Sequence, residues 1–351
     1  MRIGVLTSGG DSPGMNAAIR TITAVGIGRN HEVIGIRSGF AGLLEGDTIK
    51  MDLPMVNGIS AFGGTILGSA RSGVFPTPDG QSRACSRIRD LDLDALVIIG
   101  GNGSLTGAHK LAEQKPCLIA GLPASIDNDI GHCGLAIGVD TAVNTIVEAC
   151  DRISDTARAH RRAFIVEVMG RHCGFLAMRA GIAAEADAIL YGEAKREEGE
   201  LMESLRDVLR KCFSTWHKNR ALIIKAEGVP VSTSLMAERL QEYLDEDTPG
   251  VDIRHTILGH VVRGGRPSAM DRVIAQRLAF GALLALEHGL HDFMMSWDIE
   301  TDFGQKTPDP HIRIIPLSEA LAETERLLNG TSEVTKGRMA LLNQVEDLLF
   351  L

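Results

Sequence analysis

Asp127 and Asp129 stand on either side of Asn128 in the run Ala124-Ser-Ile-Asp-Asn-Asp129, directly after the apolar stretch Cys117–Pro123. Two carboxylates so placed can divide two tasks. One accepts a proton from an acceptor hydroxyl, and the other helps to hold a hard cation such as Mg²⁺. Upstream, a second apolar stretch from Ala95 ends in Gly100-Gly-Asn-Gly-Ser104. Glycines there let backbone N–H groups approach an anion, and a following helix start adds the positive end of its dipole. A phosphate cradle beside a carboxylate pair points to phosphoryl transfer. That chemistry asks for positioning, a base for the hydroxyl and cations against the phosphoryl oxygens. The plainer alternative for Asp-Asn-Asp is an Asx-type turn that caps the next segment.

Residues of the same kind recur along the chain. Ser8-Gly-Gly-Asp-Ser-Pro-Gly-Met-Asn16 separates a strand-like run from an apolar-periodic helix, and fits an anion cradle or a simple tight turn equally well. It has neither the G-x-x-x-x-G-K-[ST] spacing of a P-loop nor a clean G-x-G-x-x-G fingerprint, which argues against a dinucleotide site. Ala61-Phe-Gly-Gly-Thr-Ile-Leu-Gly-Ser-Ala-Arg71 sets an arginine after a flexible backbone, where it can bridge phosphate oxygens or simply be solvated. Met169-Gly-Arg-His-Cys-Gly174 carries Arg171. The strand-like run from Ala221 ends in Glu227-Gly228, and His260 and Arg263 flank an apolar pair before Gly264-Gly265. Arginines 71, 162, 171, 254 and 263 together suit a phosphorylated substrate and a polyphosphate donor.

Short apolar runs bounded by turn residues read as buried parallel strands, whose ligands sit beyond their carboxyl ends. Strands are expected at 2–7, 32–37, 95–100, 117–123, 163–168, 188–191 and 221–226. Helices are expected up to about 23 and at 139–160, 201–212, 232–243, 270–287, 317–328 and 336–349. Residues 72–83 read as turn-rich and exposed, and 248–254 as a crossing between domains. The strand–helix pattern restarts after residue 138. The expected fold is therefore α/β: two Rossmann-like three-layer α/β/α domains with mostly parallel sheets. Residues 1–138 with 262–312 are assigned to a donor-binding domain, and 139–261 with 313–351 to a second domain for the phosphorylated substrate.

Composition narrows the partners. Aromatics are 4 % of the residues, too few for a nucleic-acid stacking platform. The net charge is −9 with no basic run, so neither nucleic acid nor a membrane surface is an expected partner, and a polyanion must be met by local arginines. No apolar stretch approaches the roughly 20 residues that span a bilayer. Met1-Arg-Ile-Gly-Val-Leu runs into a strand pattern without a signal-peptide core, so a cytoplasmic location is expected. The cysteines at 85, 117, 133, 150, 173 and 212 form no C-x-x-C pair and read as buried thiols.

Gly9-Gly-Asp-Ser-Pro-Gly-Met-Asn16, Gly63-Gly-Thr-Ile-Leu-Gly-Ser-Ala-Arg71, Ser125-Ile-Asp-Asn-Asp129, Met169-Gly-Arg171, Glu227-Gly228 and Leu258-Gly-His-Val-Val-Arg-Gly-Gly265 occur in an order and spacing that resembles the 6-phosphofructokinase family over residues 1–275. The resemblance implies the phosphofructokinase fold and transfer of a phosphoryl group to the C1 hydroxyl of fructose 6-phosphate, giving fructose 1,6-bisphosphate in glycolysis. It implies Asp127 as general base, Arg71 as the cation on the transferring group and Arg171 as a further catalytic cation. Gly10, Arg71, Ser72, Gly101, Asn102, Gly103 and Ser104 would cradle the donor, with Mg²⁺ at Asp129 and Asn102. Ser125, Asp127, Asp129, Arg162, Met169, Gly170, Arg171, Glu227, Arg254, His260 and Arg263 would bind the sugar phosphate. Arg162 and Arg254 match arginines that reach a neighbouring subunit's site, which implies a homotetramer, or a homodimer, with shared active sites.

Two positions bear on the donor. Pyrophosphate-using relatives carry an aspartate at the place of Gly103 and a lysine at that of Ala124, so ATP is the expected donor and pyrophosphate the alternative. The stretch from Ser72 lacks the aromatic and basic residues that flank the nucleotide in bacterial members, which keeps that alternative open. Ser125 replaces a threonine and keeps its hydroxyl. Asn102 stands where the family loop carries a magnesium-site aspartate; it keeps one oxygen and loses a charge. An active kinase with weaker or re-routed magnesium binding is expected, and a weakly active sugar-phosphate-sensing paralogue is the alternative. Arg20 matches an effector-site arginine, but Ala24, Pro54 and Ser154 replace others, which implies weak control by ADP and phosphoenolpyruvate.

Overall fold

The computed structural model describes residues 1–298 and 303–349, with side chains up to residue 342. Two compact units divide the chain: Met1–Thr141 with Arg263–Leu327, and Ala142–Val262 with Leu328–Leu351. The first unit begins with β1 (Arg2–Ser8), α1 (Met15–Gly28), β2 (Glu32–Ile36), α2 (Gly39–Glu45) and β3 (Thr48–Lys50). It continues through α3 (Pro78–Asp90), β4 (Ala95–Gly100), α4 (Asn102–Glu113), β5 (Leu118–Pro123) and the first turn of α5 (Val139–His160). The second unit holds the rest of α5, then β6 (Arg162–Val168), α6 (Phe175–Ala183), β7 (Ala188–Leu190), α7 (Glu198–Arg210), β8 (Arg220–Ala226), α8 (Thr233–Asp247) and β9 (Asp252–Ile257). The chain re-enters the first unit with α9 (Ala269–Glu287), β10 (Phe293–Trp297), β11 (Gln305–Lys306), β12 (Ile312–Pro316) and α10 (Leu317–Leu328). The final helix, α11 (Glu333–Leu349), falls to the second unit.

Among the described residues, the first unit's sheet has the order β11-β12-β10-β5-β4-β1-β2-β3. The five central strands, β10, β5, β4, β1 and β2, run parallel, and β3, β11 and β12 add antiparallel edges. Every residue of β4 is buried, as a strand covered by helices on both faces requires. Ile3, Val5, Val97, Ile99, Ala120 and Leu122 form one core with α1 and α9. On the other face a Cβ at Gly121 would meet Leu105 of α4 and Leu317 of α10. The strand order reverses at β1, with β2 on one side and β4 on the other. The crevice beyond the carboxyl ends of β1 and β4 is thus the ligand position of such a sheet. The two ends approach closely: a Cβ at Gly100 would fall 2.4 Å from Ser8 O.

An ion-pair cluster closes the far side of this unit. Glu287, at the end of α9, accepts from Arg29 Nε at 2.7 Å and Nη2 at 2.6 Å, and lies 2.7 Å from His31 Nε2. Those bonds, Arg29's first, hold its carboxyl down at about 2, below the ordinary 4.5. A depressed carboxylate contributes stability that is complete above its unfolded pKa and is lost as pH falls toward the folded value. Glu287→Gln is therefore expected to lower the thermal midpoint at pH 7 and to flatten its fall between pH 4.5 and 2. Melting curves across that window check this; parallel acid limbs would contradict it.

In the second unit the sheet order is β7-β8-β6-β9, all parallel. Lys225 is fully buried in β8 and donates to Glu167 of β6 at 2.9 Å; Thr233 of α8 donates to the same carboxylate. Burial pushes Glu167 up, but the bonds from Thr233 and Lys225 hold it below the usual carboxylate range.

Three expectations need correction. Residues 72–83 are not merely exposed turns: Phe75 is buried, and α3 starts at Pro78, with Thr77 Oγ1 accepting from Gly80 N at 3.1 Å. Proline at the first helical turn lacks an N–H that would have no partner there anyway. Residues 252–254 are not a crossing but the start of β9, paired in parallel with β6. Residues 313–327 lie in the first unit rather than with residues 139–261, because β12 pairs antiparallel with β10.

Candidate active site

Six segments of the first unit converge at the β1–β4 crevice. A cavity of about 430 Å³ there is lined by Gly9 and Gly10, Arg71 and Ser72, Gly101–Ser104, Ala124, Ser125 and Asp127, and Arg263. Larger cavities lie elsewhere. One of about 470 Å³ borders Tyr191 and Gly228, and one of about 880 Å³ borders α1 and α9. Of the three, the smaller cavity joins the glycine loops after β1 and β4 to Asp127 and two arginines, so the chemistry selects it.

The loop after β4 is short because α4 begins at Asn102 itself. Asn102, Gly103 and Ser104 form its first turn; Ser104 N donates to Gly101 O at 2.9 Å, which leaves the N–H groups of Asn102 and Gly103 without an intrahelical acceptor. They face the cavity with the positive end of the helix dipole, an arrangement made for an anion. Ser104 Oγ is buried and has no hydrogen-bond partner among the described residues, as has the Oδ1 of Asn102. The loop after β1 is held by a guanidinium: a Cβ at Gly10 would lie 2.7 Å from Arg263 Nη1, which donates to Asp11 O at 3.4 Å.

Arg71 is carried by a loop suspended from β1 and α1. Buried Asn16 donates to Phe62 O and Gly63 O at 3.2 Å and accepts from Ile66 N at 2.8 Å. Thr7 Oγ1 is 2.8 Å from Thr65 Oγ1 and donates to Gly68 O, and Ser69 Oγ donates to Gly9 O at 2.6 Å. Arg71 itself is exposed.

The carboxylate loop alternates. Ser125, Asp127 and Asp129 are half-buried, while Ile126, Asn128 and Ile130 are buried. Asn128 adopts φ +50° and turns inward, donating to Gly134 O at 3.0 Å and accepting from Ala136 N at 2.9 Å. The turn expected for Asp-Asn-Asp is thus made by the asparagine. Asp129 accepts from Ser125 Oγ at 2.8 Å through Oδ1 and from Asn102 Nδ2 at 2.7 Å through Oδ2. The same Nδ2 is 3.3 Å from Asp129 O. Two acceptors fix the orientation of the Asn102 amide, because its oxygen would repel both.

Magnesium takes hard oxygen ligands and is commonly held by one or two carboxylates plus substrate phosphates. Asp129 offers one carboxylate and Asn102 an unpartnered buried oxygen. Among the described residues no group of three or more His, Cys, Asp or Glu could hold a metal. The set fits a magnesium ion that shares its ligands with a donor's phosphates.

The second unit separates its expected residues into two groups. Met169, Gly170 and Arg171 follow β6, and Glu227 follows β8. Glu227 N donates to Val168 O at 2.9 Å and Gly228 N to Gly170 O at 3.2 Å, so these loops lie together. Arg171 and Glu227 are exposed. His260, also exposed, follows β9. Arg162 opens β6, roughly 20 Å along the strand from Met169 at 3.3 Å per residue. There it lies 3.4 Å from Asp252, which also accepts from Arg254 at 3.0 Å. The fold thus brings Arg162 and Arg254 together, away from the Met169–Glu227 cluster.

Sequence reasoning missed the apolar wall of the cavity. Phe40 and Phe75 stack with centroids 3.8 Å apart and, with Pro76, line the same cleft as Arg71 and Gly103. The signal was the phenylalanine within a segment read as turn. It also missed Asn16, whose bonds hold the Arg71 loop.

The sequence model of the Phosphofructokinase family matches residues 2–286. The ATP-dependent 6-phosphofructokinase of Thermotoga petrophila is 43 % identical over 295 residues, covering 84 % of this chain and 89 % of the relative. That of Natranaerobius thermophilus is 40 % identical over 328 residues, covering 92 % and 99 %. Among solved structures, phosphofructokinase from Saccharomyces cerevisiae superposes with a TM-score of 0.83 at 33 % identity; the match covers 99 % of this chain and about half, 49 %, of the yeast chain. A pyrophosphate-dependent phosphofructokinase from Marinobacter aquaeolei shares the fold, with a TM-score of 0.76 at 19 % identity over 97 % of this chain and 91 % of its own.

Proposed function

Because the chain belongs to the phosphofructokinase family, we propose that it transfers the γ-phosphoryl group of ATP to the C1 hydroxyl of fructose 6-phosphate, in glycolysis. The observation that carries this reading is the single cavity that joins the first turn of α4, Asp127, Arg71 and Arg263. The N–H groups of Asn102 and Gly103 and the Gly9–Gly10 loop receive the donor phosphates. The phenylalanine pair supplies an apolar wall suited to the base of a nucleotide and of no use to pyrophosphate. Asp127 takes the proton of the acceptor hydroxyl, which raises its nucleophilicity toward the phosphoryl group. Arg71 pairs with the phosphoryl oxygens through its planar fork. Asp129 and Asn102 would hold Mg²⁺ together with the donor, and the ion would supply charge neutralisation on the phosphates.

The second unit serves the acceptor. Met169, Gly170, Arg171, Glu227 and His260 hold the sugar phosphate, with Arg263, Ser125 and Asp129 contributing from the first unit. Arg162 and Arg254 serve the site of a neighbouring copy, a reading supported by their distance from Met169 within the sheet. We infer a cytoplasmic homotetramer or homodimer; among the described residues no helix is long and apolar enough to cross a membrane.

Donor placement is tested at Gly103. It is exposed, and a Cβ there would meet nothing within 4 Å, so an aspartate fits without strain. Its charge would favour the helix start but oppose the donor phosphates. Gly103→Asp is expected to keep the thermal midpoint and to lower kcat/KM for ATP by about a hundredfold or more. Steady-state kinetics beside a melting curve check this. An unchanged kcat/KM for ATP would remove the donor from the start of α4.

A further inference from the structure

The bond between Asn102 and Asp129 joins the loops that follow β4 and β5. Asn102 Nδ2 lies 2.7 Å from Asp129 Oδ2, on the opposite side from Ser125 Oγ, which donates to Oδ1. Each oxygen of this carboxylate therefore accepts one bond from the chain itself. Two carboxylates at that separation repel, and one of them must take a proton or both must share a cation. A carboxamide beside a carboxylate needs neither. Its cost is on the other side: Asn102 Oδ1 is left buried without a hydrogen-bond partner among the described residues. Buried acceptors are normally paired, and one left open inside a ligand cavity points to something that arrives later.

We infer that Asn102 takes the place of a cation in bracing Asp129 in the donor-free protein. The loops at 100–104 and 125–129 are then organised without metal, and a divalent cation gains its ligands when phosphate oxygens come with it. The free ion meets a carboxylate already occupied by two donors and only one open neutral oxygen. With a polyphosphate bound, the phosphates supply the charge that Asn102 lacks. The chain is in this sense built to take a metal–polyphosphate complex and to disregard the free metal. The inference rests on the donor reading above. Its test contains no donor, so the two fail on different measurements.

Mn²⁺ serves as a paramagnetic probe, titrated into the full chain without nucleotide or sugar phosphate and followed by electron paramagnetic resonance. Asn102→Asp is expected to retain one Mn²⁺ per chain roughly ten- to a hundredfold more tightly than the unaltered protein. In EDTA its thermal midpoint should fall by about 2–4 °C or more, and Mg²⁺ should restore it. The unaltered protein's midpoint should not respond to either. A second variant exchanges the partners, combining Asn102→Asp with Asp129→Asn. It keeps one carboxylate and one carboxamide, so it should regain a midpoint indifferent to EDTA even if the single variant fails to fold without metal. Equal Mn²⁺ affinity in the unaltered protein and Asn102→Asp would overturn the inference. So would a single variant indifferent to EDTA, or a swapped variant as metal-dependent as the single one.

Discussion

Asp127→Asn is expected to lower kcat by about 10²–10⁴-fold, the range over which a positioned general base contributes. The substitution keeps the shape of the side chain and removes its capacity to accept a proton. Asp127 stands half-buried on the outward side of an alternating loop whose inward residues, Ile126, Asn128 and Ile130, carry the packing. Folding is therefore expected to survive, and the KM for fructose 6-phosphate to change far less than kcat, as for an interaction made mainly in the transition state. Asp129→Asn separates the two carboxylates. It should raise the magnesium concentration needed for half-maximal rate, because Asp129 is the one joined to Asn102 and Ser125. A kcat for Asp127→Asn within about threefold of the unaltered protein would exclude Asp127 as the base.

Arg71→Ala is the second large effect, about 10²–10³-fold in kcat, the loss that follows removal of one preorganised transition-state donor. Arg71 is exposed and does not hold its own loop; Asn16, Thr7 and Ser69 do that. The thermal midpoint is accordingly expected to stay within about 1–2 °C, since surface changes away from packing and hydrogen bonds cost little. Arg71→Lys should recover only part of the rate, since a point charge lacks the two-pronged geometry of a guanidinium. Asn16→Ala gives the complementary result. It releases the bonds to Phe62, Gly63 and Ile66, so it should lower stability and activity together. If Arg71→Ala and Arg71→Lys both turned over at the normal rate, the cation on the phosphoryl group would have to be sought elsewhere, with Arg263 the nearest alternative lining the cavity.

The parallel core of the first unit was legible because its strands are short, wholly apolar and bounded by glycine and polar turns. Ala95–Gly100 and Leu118–Pro123 fall where the hydrophobic runs put them. The polar ends of those runs line the cavity beyond β1 and β4, where the sheet's order reverses. Edges were harder to read. β9 carries Arg254, His255 and Thr256 on a half-covered strand, so its pattern reads as turn until β6 is seen beside it. β10 and β12 were given no bounds, because each is five residues long and neither alternates between buried and exposed positions. The Phe40–Phe75 stack and the Asn16 ties are contacts across 35 and 46–50 residues, a separation that motif spacing does not encode. Asn102 shows both limits at once. Its identity marks a missing charge, but its bond to Asp129, which turns that loss into a brace, exists only in the folded loops.

Transfer of the γ-phosphoryl group of ATP to fructose 6-phosphate can be followed directly. The direct measurement is the initial rate of fructose 1,6-bisphosphate formation from fructose 6-phosphate and Mg²⁺, with ATP, with pyrophosphate and with no donor. Turnover with ATP, and a pyrophosphate rate at least about a hundredfold lower, is predicted from the open α4 start at Gly103 and the phenylalanine wall. Binding of fructose 6-phosphate without turnover from either donor, or a faster rate with pyrophosphate than with ATP, would contradict it.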